Sequence, residues 1–130
     1  MEYGKGTIIL KRGIIFKDNQ LRDSKYCHPA MIAIATDSIT NETFYLTMTS
    51  QIQKYVLYEE QYYLLGSDTF QIVNLDRPSM INLKNIYKEQ INDRKVGGLP
   101  PQIYKQVIKK FKRCQEIAPD SLYEELKQYL

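Results

Sequence analysis

Up to about residue 87 the apolar residues come in short runs closed by turn-forming residues, and beyond a glycine-proline break their spacing becomes helical. This change of period confines the chain to strands first and helices second. Thr7-Ile8-Ile9-Leu10 and Gly13-Ile14-Ile15-Phe16 flank the basic pair Lys11-Arg12, and Asp18-Asn19 supplies a turn. Residues 19–28 read as a polar loop. Ala30 to Thr36 is a continuous apolar run short enough for a buried strand, closed by Asp37-Ser38, and Thr40-Asn41-Glu42 turns the chain into Phe44 to Thr49. Such a hairpin places the start of one strand beside the end of the next.

Gln51 to Glu60 is polar and without a clear period. Gln61 to Leu65 and Phe70 to Val73 flank Gly66-Ser67-Asp68 as a second strand-turn-strand unit, and Ser79 to Leu83 is a last strand running into Ile86-Tyr87. Pro78 is compatible with a strand's first position. After Gly97-Gly98-Leu99-Pro100-Pro101, the residues Ile103, Tyr104, Val107, Ile108 and Phe111 recur at helical spacing, which predicts an amphipathic helix over 101–116. Pro119 ends it, and Ser121-Leu122-Tyr123-Glu124 has capping-box spacing for a short helix within 121–130. The expected architecture is α+β: a small barrel or half-barrel over about residues 7–90, with the helices packed against it in one domain spanning 1–130.

A chain of 130 residues buries one core without needing staples. Its two cysteines, Cys27 and Cys114, form no CxxC pair and its single histidine gives them little company, so no metal site and no cofactor are expected. Distant unpaired thiols, no apolar leader-like segment and no run of membrane-span length point to a cytoplasmic protein. Eighteen basic against fifteen acidic residues give only +3, so a nucleic-acid partner has to be argued from the distribution of charge. Lys5, Lys11, Arg12, Lys17, Arg22 and Lys25 make the N-terminal quarter locally basic. Lys105, Lys109, Lys110, Lys112 and Arg113 lie on the predicted helix, where a solvated face accounts for them. Eleven tyrosines suit both base stacking and half-wet sheet positions.

His28 is the one residue whose ordinary pKa, about 6.5, allows proton exchange at neutral pH. The hairpin brings it toward Thr49 and Ser50, an arrangement suited to phosphodiester chemistry. A half-buried loop imidazole bonded to a backbone carbonyl fits the same residue pattern, and so does a strand-end turn cap for Thr49 and Ser50.

Taken in order, Lys11-Arg12-Gly13-Ile14-Ile15, Cys27-His28-Pro29-Ala30-Met31-Ile32-Ala33-Ile34, Tyr45-Leu46-Thr47-Met48-Thr49-Ser50-Gln51, Ser79-Met80-Ile81-Asn82-Leu83-Lys84-Asn85-Ile86 and Gly98-Leu99-Pro100 form a co-linear set. This set resembles the segments of the MazF/PemK toxins of bacterial toxin-antitoxin systems and of the related ToxN/AbiQ-type toxins, from about residue 11 to 115. The resemblance implies an SH3-like small β-barrel of the MazF, Kid and CcdB kind with flanking helices. It further implies a metal-independent, sequence-specific endoribonuclease acting on single-stranded RNA. In that chemistry a ribose 2'-hydroxyl attacks the adjacent phosphate, leaving a 2',3'-cyclic phosphate and a 5'-hydroxyl.

Carried over residue by residue, the family's strand-end hydroxyls map onto Thr49 and Ser50 as phosphate contacts, and Lys54 falls where ToxN-like toxins carry a lysine near the site. The family's arginine before proline is His28 here, and Asp is missing from the opening strand. His28 then becomes the acid or base, while Arg12, Arg22, Lys25 or Lys54 supplies the fixed charge. Tyr26 and Gln51 join Arg12, Arg22 and Lys25 as expected RNA contacts. Expected partners are the RNA substrate and a cognate antitoxin, either a repetitive RNA or a small protein, in a homodimer or a toxin-RNA assembly with no membrane. Two other readings stay open: a non-catalytic RNA-binding barrel, and a CcdB-like poison of DNA gyrase.

Overall fold

The computed structural model describes residues 3–11, 28–31, 34–69, 71, 73, 75 and 77–130. Seven strands are present among them: β1 (Thr7–Lys11), β2 (His28–Met31), β3 (Thr43–Thr49), β4 (Tyr62–Leu65), β5 (Ser79–Asn82), β6 (Tyr87–Glu89) and β7 (Arg94–Gly98). Between β3 and β4 lie a single helical turn, α1 (Ile52–Tyr55), and an irregular 3₁₀ segment, Val56–Gln61. Two helices close the chain, α2 (Pro101–Ile117) and α3 (Tyr123–Lys127). The protein is thus α+β, strands first and helices second.

All strand pairings are antiparallel, in the order β4-β5-β3-β2-β1-β7, with β6 also on β3. β4 and β7 stand at the two ends of this order, and no pairing joins them among the described residues. β3 organises the sheet: Leu46 and Thr47 pair with β2, Met48 and Thr49 with β5, and Thr43 to Tyr45 with β6. Its sequence alternates accordingly. Phe44, Leu46 and Met48 enter the main core with Ile8, Ile81, Val107 and Phe111, whereas Tyr45 enters a second cluster with Tyr3, Ile9, Tyr87 and Ile91. The period-2 geometry of a strand therefore gives β1 and β3 two buried faces of different character.

The turn into β3 forms as expected, whereas His28, read as the end of a polar loop, is the first residue of β2 and lies opposite Lys11. Asp37 Oδ1 accepts from the Ile39 amide at 2.9 Å, Asn41 takes the left-handed φ of 60°, and the Asp37 amide closes on Glu42 O at 2.8 Å. The second expected hairpin is a correction. Gln71 and Val73 lie in turns, and the antiparallel partner of β4 is β5, with Tyr63 opposite Ile81. Val73 is buried all the same, so its apolar character serves the core without a ladder.

The polar segment after Gln51 turns out helical, and β7 is a strand that apolar patterning misses. Arg94-Lys95-Val96-Gly97-Gly98 has one large apolar residue and two glycines, and among the described residues it pairs with β1 alone. The capping box expected at Ser121 is also replaced. α3 has no side-chain cap at its first turn; Asp120 performs that work from outside, with Oδ2 accepting from the Leu122 amide at 2.9 Å. The expected strand at 13–16 lies outside the described residues.

Helix α2 starts after Pro100 with Pro101 in its first turn, where a missing N–H costs nothing. Gln115, fully buried, donates to Leu83 O at 2.8 Å and Lys84 O at 3.0 Å and accepts from the Asp120 amide at 2.7 Å. One side chain thus joins α2 to the end of β5 and to the turn before α3. α3 is held further by Lys88, whose ammonium bridges Asp37 and Glu125 and lies over the Phe44 ring.

Candidate active site

The register of the first three strands decides where the chemistry-bearing residues meet. Lys11 on β1 is opposite His28 on β2, while Ala30 and Met31 are opposite Thr47 and Leu46 on β3. The row at this end of the sheet is therefore Lys11 with His28; Thr49 lies two residues beyond Thr47 on β3 and is opposite Met80 on β5.

Lys11 belongs to the same face as Ile9, beside the second cluster. Its side chain is one-tenth exposed, with Nζ 2.7 Å from Glu89 Oε1 and 4.0 Å from Asp93 Oδ1. Tyr45 donates its hydroxyl to Glu89 Oε2 at 2.8 Å, and Tyr3 donates to Asp93 O at 2.8 Å. The Tyr45 ring stacks on Tyr87, its register partner, at a centroid separation of 5.4 Å. Burial, reinforced by the Glu89 charge, pushes the Tyr45 phenol far above its ordinary pKa, so it acts as a fixed donor. Glu89 is held by a phenol and an ammonium while more than a third of its side chain remains exposed. The site thus contains an oriented carboxylate and a buried cation beside the row that holds His28.

Thr49 is half-buried, and its Oγ1 accepts from the Gln51 amide at 3.1 Å. The hydroxyl serves as the strand-end turn cap, and acceptance leaves its own O–H to donate elsewhere. Ser50 and Gln51 follow as exposed residues. Lys54 sits in α1, one helical turn beyond Ser50 along the backbone. Arg12, Arg22, Lys25 and Tyr26 lie outside the described residues.

Among the expected site residues, His28 is on β2 and Thr49 ends the neighbouring β3, with Ser50, Gln51 and Lys54 following along the chain. Lys11, Tyr45 and Glu89 were not expected there as a group. Lys11 enters the sequence reading in the basic N-terminal stretch and in the Lys11 to Ile15 segment, and Tyr45 as a residue for sheet packing or base stacking. Glu89 comes from a strand far along the chain whose pairing with β3 no local pattern announces. Among the described residues, no group of three or more His, Cys, Asp or Glu side chains is placed to hold a metal ion. No described helix is long and apolar enough to cross a membrane. Compared with known proteins, the chain matches no protein-family model and no curated protein sequence.

Proposed function

We propose that the protein is the toxin of a toxin-antitoxin system, an endoribonuclease on an SH3-like barrel that cleaves single-stranded RNA without a metal. The observation that carries the reading is the pairing of Lys11 with His28 and of Ala30 with Thr47, two residues from Thr49, because it joins three segments of the MazF-like set in adjacent strands. In the reaction, the 2'-hydroxyl loses its proton to a base and its oxygen bonds to phosphorus. The P–O5' bond breaks, and the departing oxygen takes a proton from an acid, giving a 2',3'-cyclic phosphate and a 5'-hydroxyl. His28 carries one of these proton transfers. The hydroxyls of Thr49 and Ser50 donate to phosphoryl oxygens as charge grows there. Lys11, opposite His28, is the cation in this row, its charge shared with Glu89 and Asp93, where the family has arginine and this chain has histidine.

The test is incubation of purified protein with a mixed-sequence single-stranded RNA in EDTA, with the ends of the products mapped. Cleavage leaving 5'-hydroxyl ends, lowered about 100-fold or more in His28→Ala, is the expected result. Cleavage that requires added metal, or RNA left intact while expression still arrests growth, would reject the mechanism. The second outcome would favour a protein target such as gyrase.

A further inference from the structure

The outer face of α2 has a composition unlike the rest of the chain. Its five cations stand against the single carboxylate of Glu116, a net of +4 on 17 residues where all 130 carry +3. Lys110 is used internally, its ammonium 2.7 Å from Glu59 O and 2.6 Å from Tyr62 O. Lys105, Lys109, Lys112 and Arg113 are exposed, at the i, i+4, i+7 and i+8 spacing that makes one stripe. Beside them Pro101, Tyr104 and Ile108 form a second, apolar stripe. Between and around the two lies an open groove of about 830 Å³, roughly 18 Å long by the rise of the helix from Pro101 to Arg113.

This groove is not continuous with the catalytic row. The inward side of α2, through Val107 and Phe111, packs on the core face of the sheet with Ile8, Phe44 and Leu46, whereas Lys11, Tyr45 and Glu89 are on the opposite face. A strand of RNA being cleaved at the row is separated from the groove by the sheet and the helix. The floor also discriminates between kinds of polyanion. Nucleic acid needs flat aromatic faces for its bases and cations for its phosphates. Here the lining holds a single aromatic ring, Tyr104, beside the aliphatic Ile108 and Pro101, and so offers no succession of stacking faces. Apolar side chains flanked by carboxylates match both stripes at once.

We propose that the outer face of α2 is a docking groove for an acidic, amphipathic polypeptide segment of a partner protein, its apolar residues over Tyr104 and Ile108 and its carboxylates along Lys105, Lys109 and Lys112. The inference is independent of the catalytic reading and survives its failure. The probe is a fluorescein-labelled 16-residue peptide with leucines at helical spacing among glutamates, followed by anisotropy. A scrambled peptide of the same composition and a labelled 12-nucleotide oligouridylate serve as comparisons. The expected result is tighter binding of the amphipathic peptide than of the scrambled one, weakened about tenfold or more by Lys109→Glu with Lys112→Glu. Ile108→Ser removes the preference for the amphipathic order. The exposed double variant should keep the wild-type thermal midpoint, so its result does not depend on folding. Equal affinity for the two peptides would overturn the proposal, as would peptide binding indifferent to the double substitution. Loss of oligouridylate binding without loss of peptide binding would overturn it in favour of a nucleic-acid surface.

Discussion

Tyr45 and Glu89, from strands separated by more than forty residues of sequence, are joined by a 2.8 Å hydrogen bond whose acceptor also holds Lys11 at 2.7 Å. Tyr45→Phe keeps the ring stacked on Tyr87 and removes only the donor, so the core is unchanged while the carboxylate loses one of its two fixed partners. The exposed side of Glu89 lets water replace the lost donor, which limits the cost to about 1 kcal/mol. A urea titration should show a lower midpoint with an unchanged slope. A larger effect falls on any activity that needs Glu89 oriented, and cleavage in the variant should drop more than its stability does.

The Lys88 cluster gives a pH dependence with a definite sign. The Lys88 ammonium, helped by the Ile39 amide, holds the Asp37 carboxyl at about 2, below its ordinary 3.8. A depressed folded value means that the contribution is complete above the unfolded value and is lost as pH falls through the folded one. Asp37→Asn should therefore lower the thermal midpoint at pH 7, and its gap from wild type should close between pH 4 and pH 2. Lys88 shows the opposite sign: Glu125 first, then Asp37, raises its pKa, so its contribution is complete below 10.5 and fades only in strong alkali. A gap for Asp37→Asn that is the same at pH 7 and pH 2 would refute this account.

Gly6 has φ 79°, and a Cβ there would meet Tyr104 Cδ2 at 3.1 Å and Leu99 Cβ at 3.4 Å. The Gly6 carbonyl also accepts from the Leu99 amide at 2.9 Å, so the backbone cannot drift to relieve the crowding without loosening the start of α2. Gly6→Ala should cost about 1–2 kcal/mol through the left-handed backbone and the crowded ring. Differential calorimetry is the measurement. A midpoint equal to that of wild type would show that Tyr104 moves aside freely.

Elements that depend on contiguous residues were legible in the sequence. The apolar runs at Thr7 to Leu10 and Phe44 to Thr49, the Asp37 to Glu42 turn and the α2 periodicity each carry their own local signal. What failed to show was decided by partners distant in the chain. β7 has almost no apolar pattern because an edge strand with two glycines depends on β1 for its ladder. Val73 reads as strand from its neighbours, yet it satisfies burial alone. The same limit applies to the site. The strands that carry His28 and Thr49 belong to one hairpin and could be read as neighbours, whereas Lys11, Tyr45 and Glu89 converge through the pairing of β1 with β2 and of β3 with β6.

Gln115 is the residue whose loss should be felt most by the C-terminal helices. It has no exposed surface, and its amide satisfies two carbonyls and one N–H from three different residues. Gln115→Leu keeps most of the volume but strands the buried Leu83 carbonyl and leaves the part-buried Lys84 carbonyl and Asp120 amide to water, a cost of about 1–3 kcal/mol. Amide hydrogen exchange should then quicken at Asp120 and through α3 before it quickens in β3. Uniform loss of protection across the chain would mean that α3 does not open on its own.

The catalytic reading makes its sharpest prediction at His28, because an arginine in its place could not change its charge near neutrality. An imidazole that moves a proton imposes an inflection on kcat/KM near neutral pH. His28→Arg removes that inflection while adding a permanent cation to the row beside Lys11, so RNA should bind more tightly and with a steeper salt dependence. Cleavage measured from pH 5 to 9 in EDTA separates the two effects. Persistence of the inflection in His28→Arg would assign the titration to another group. A flat profile in both proteins would remove His28 from proton transfer and leave Thr49, Ser50 and the fixed charges to act on the phosphate alone.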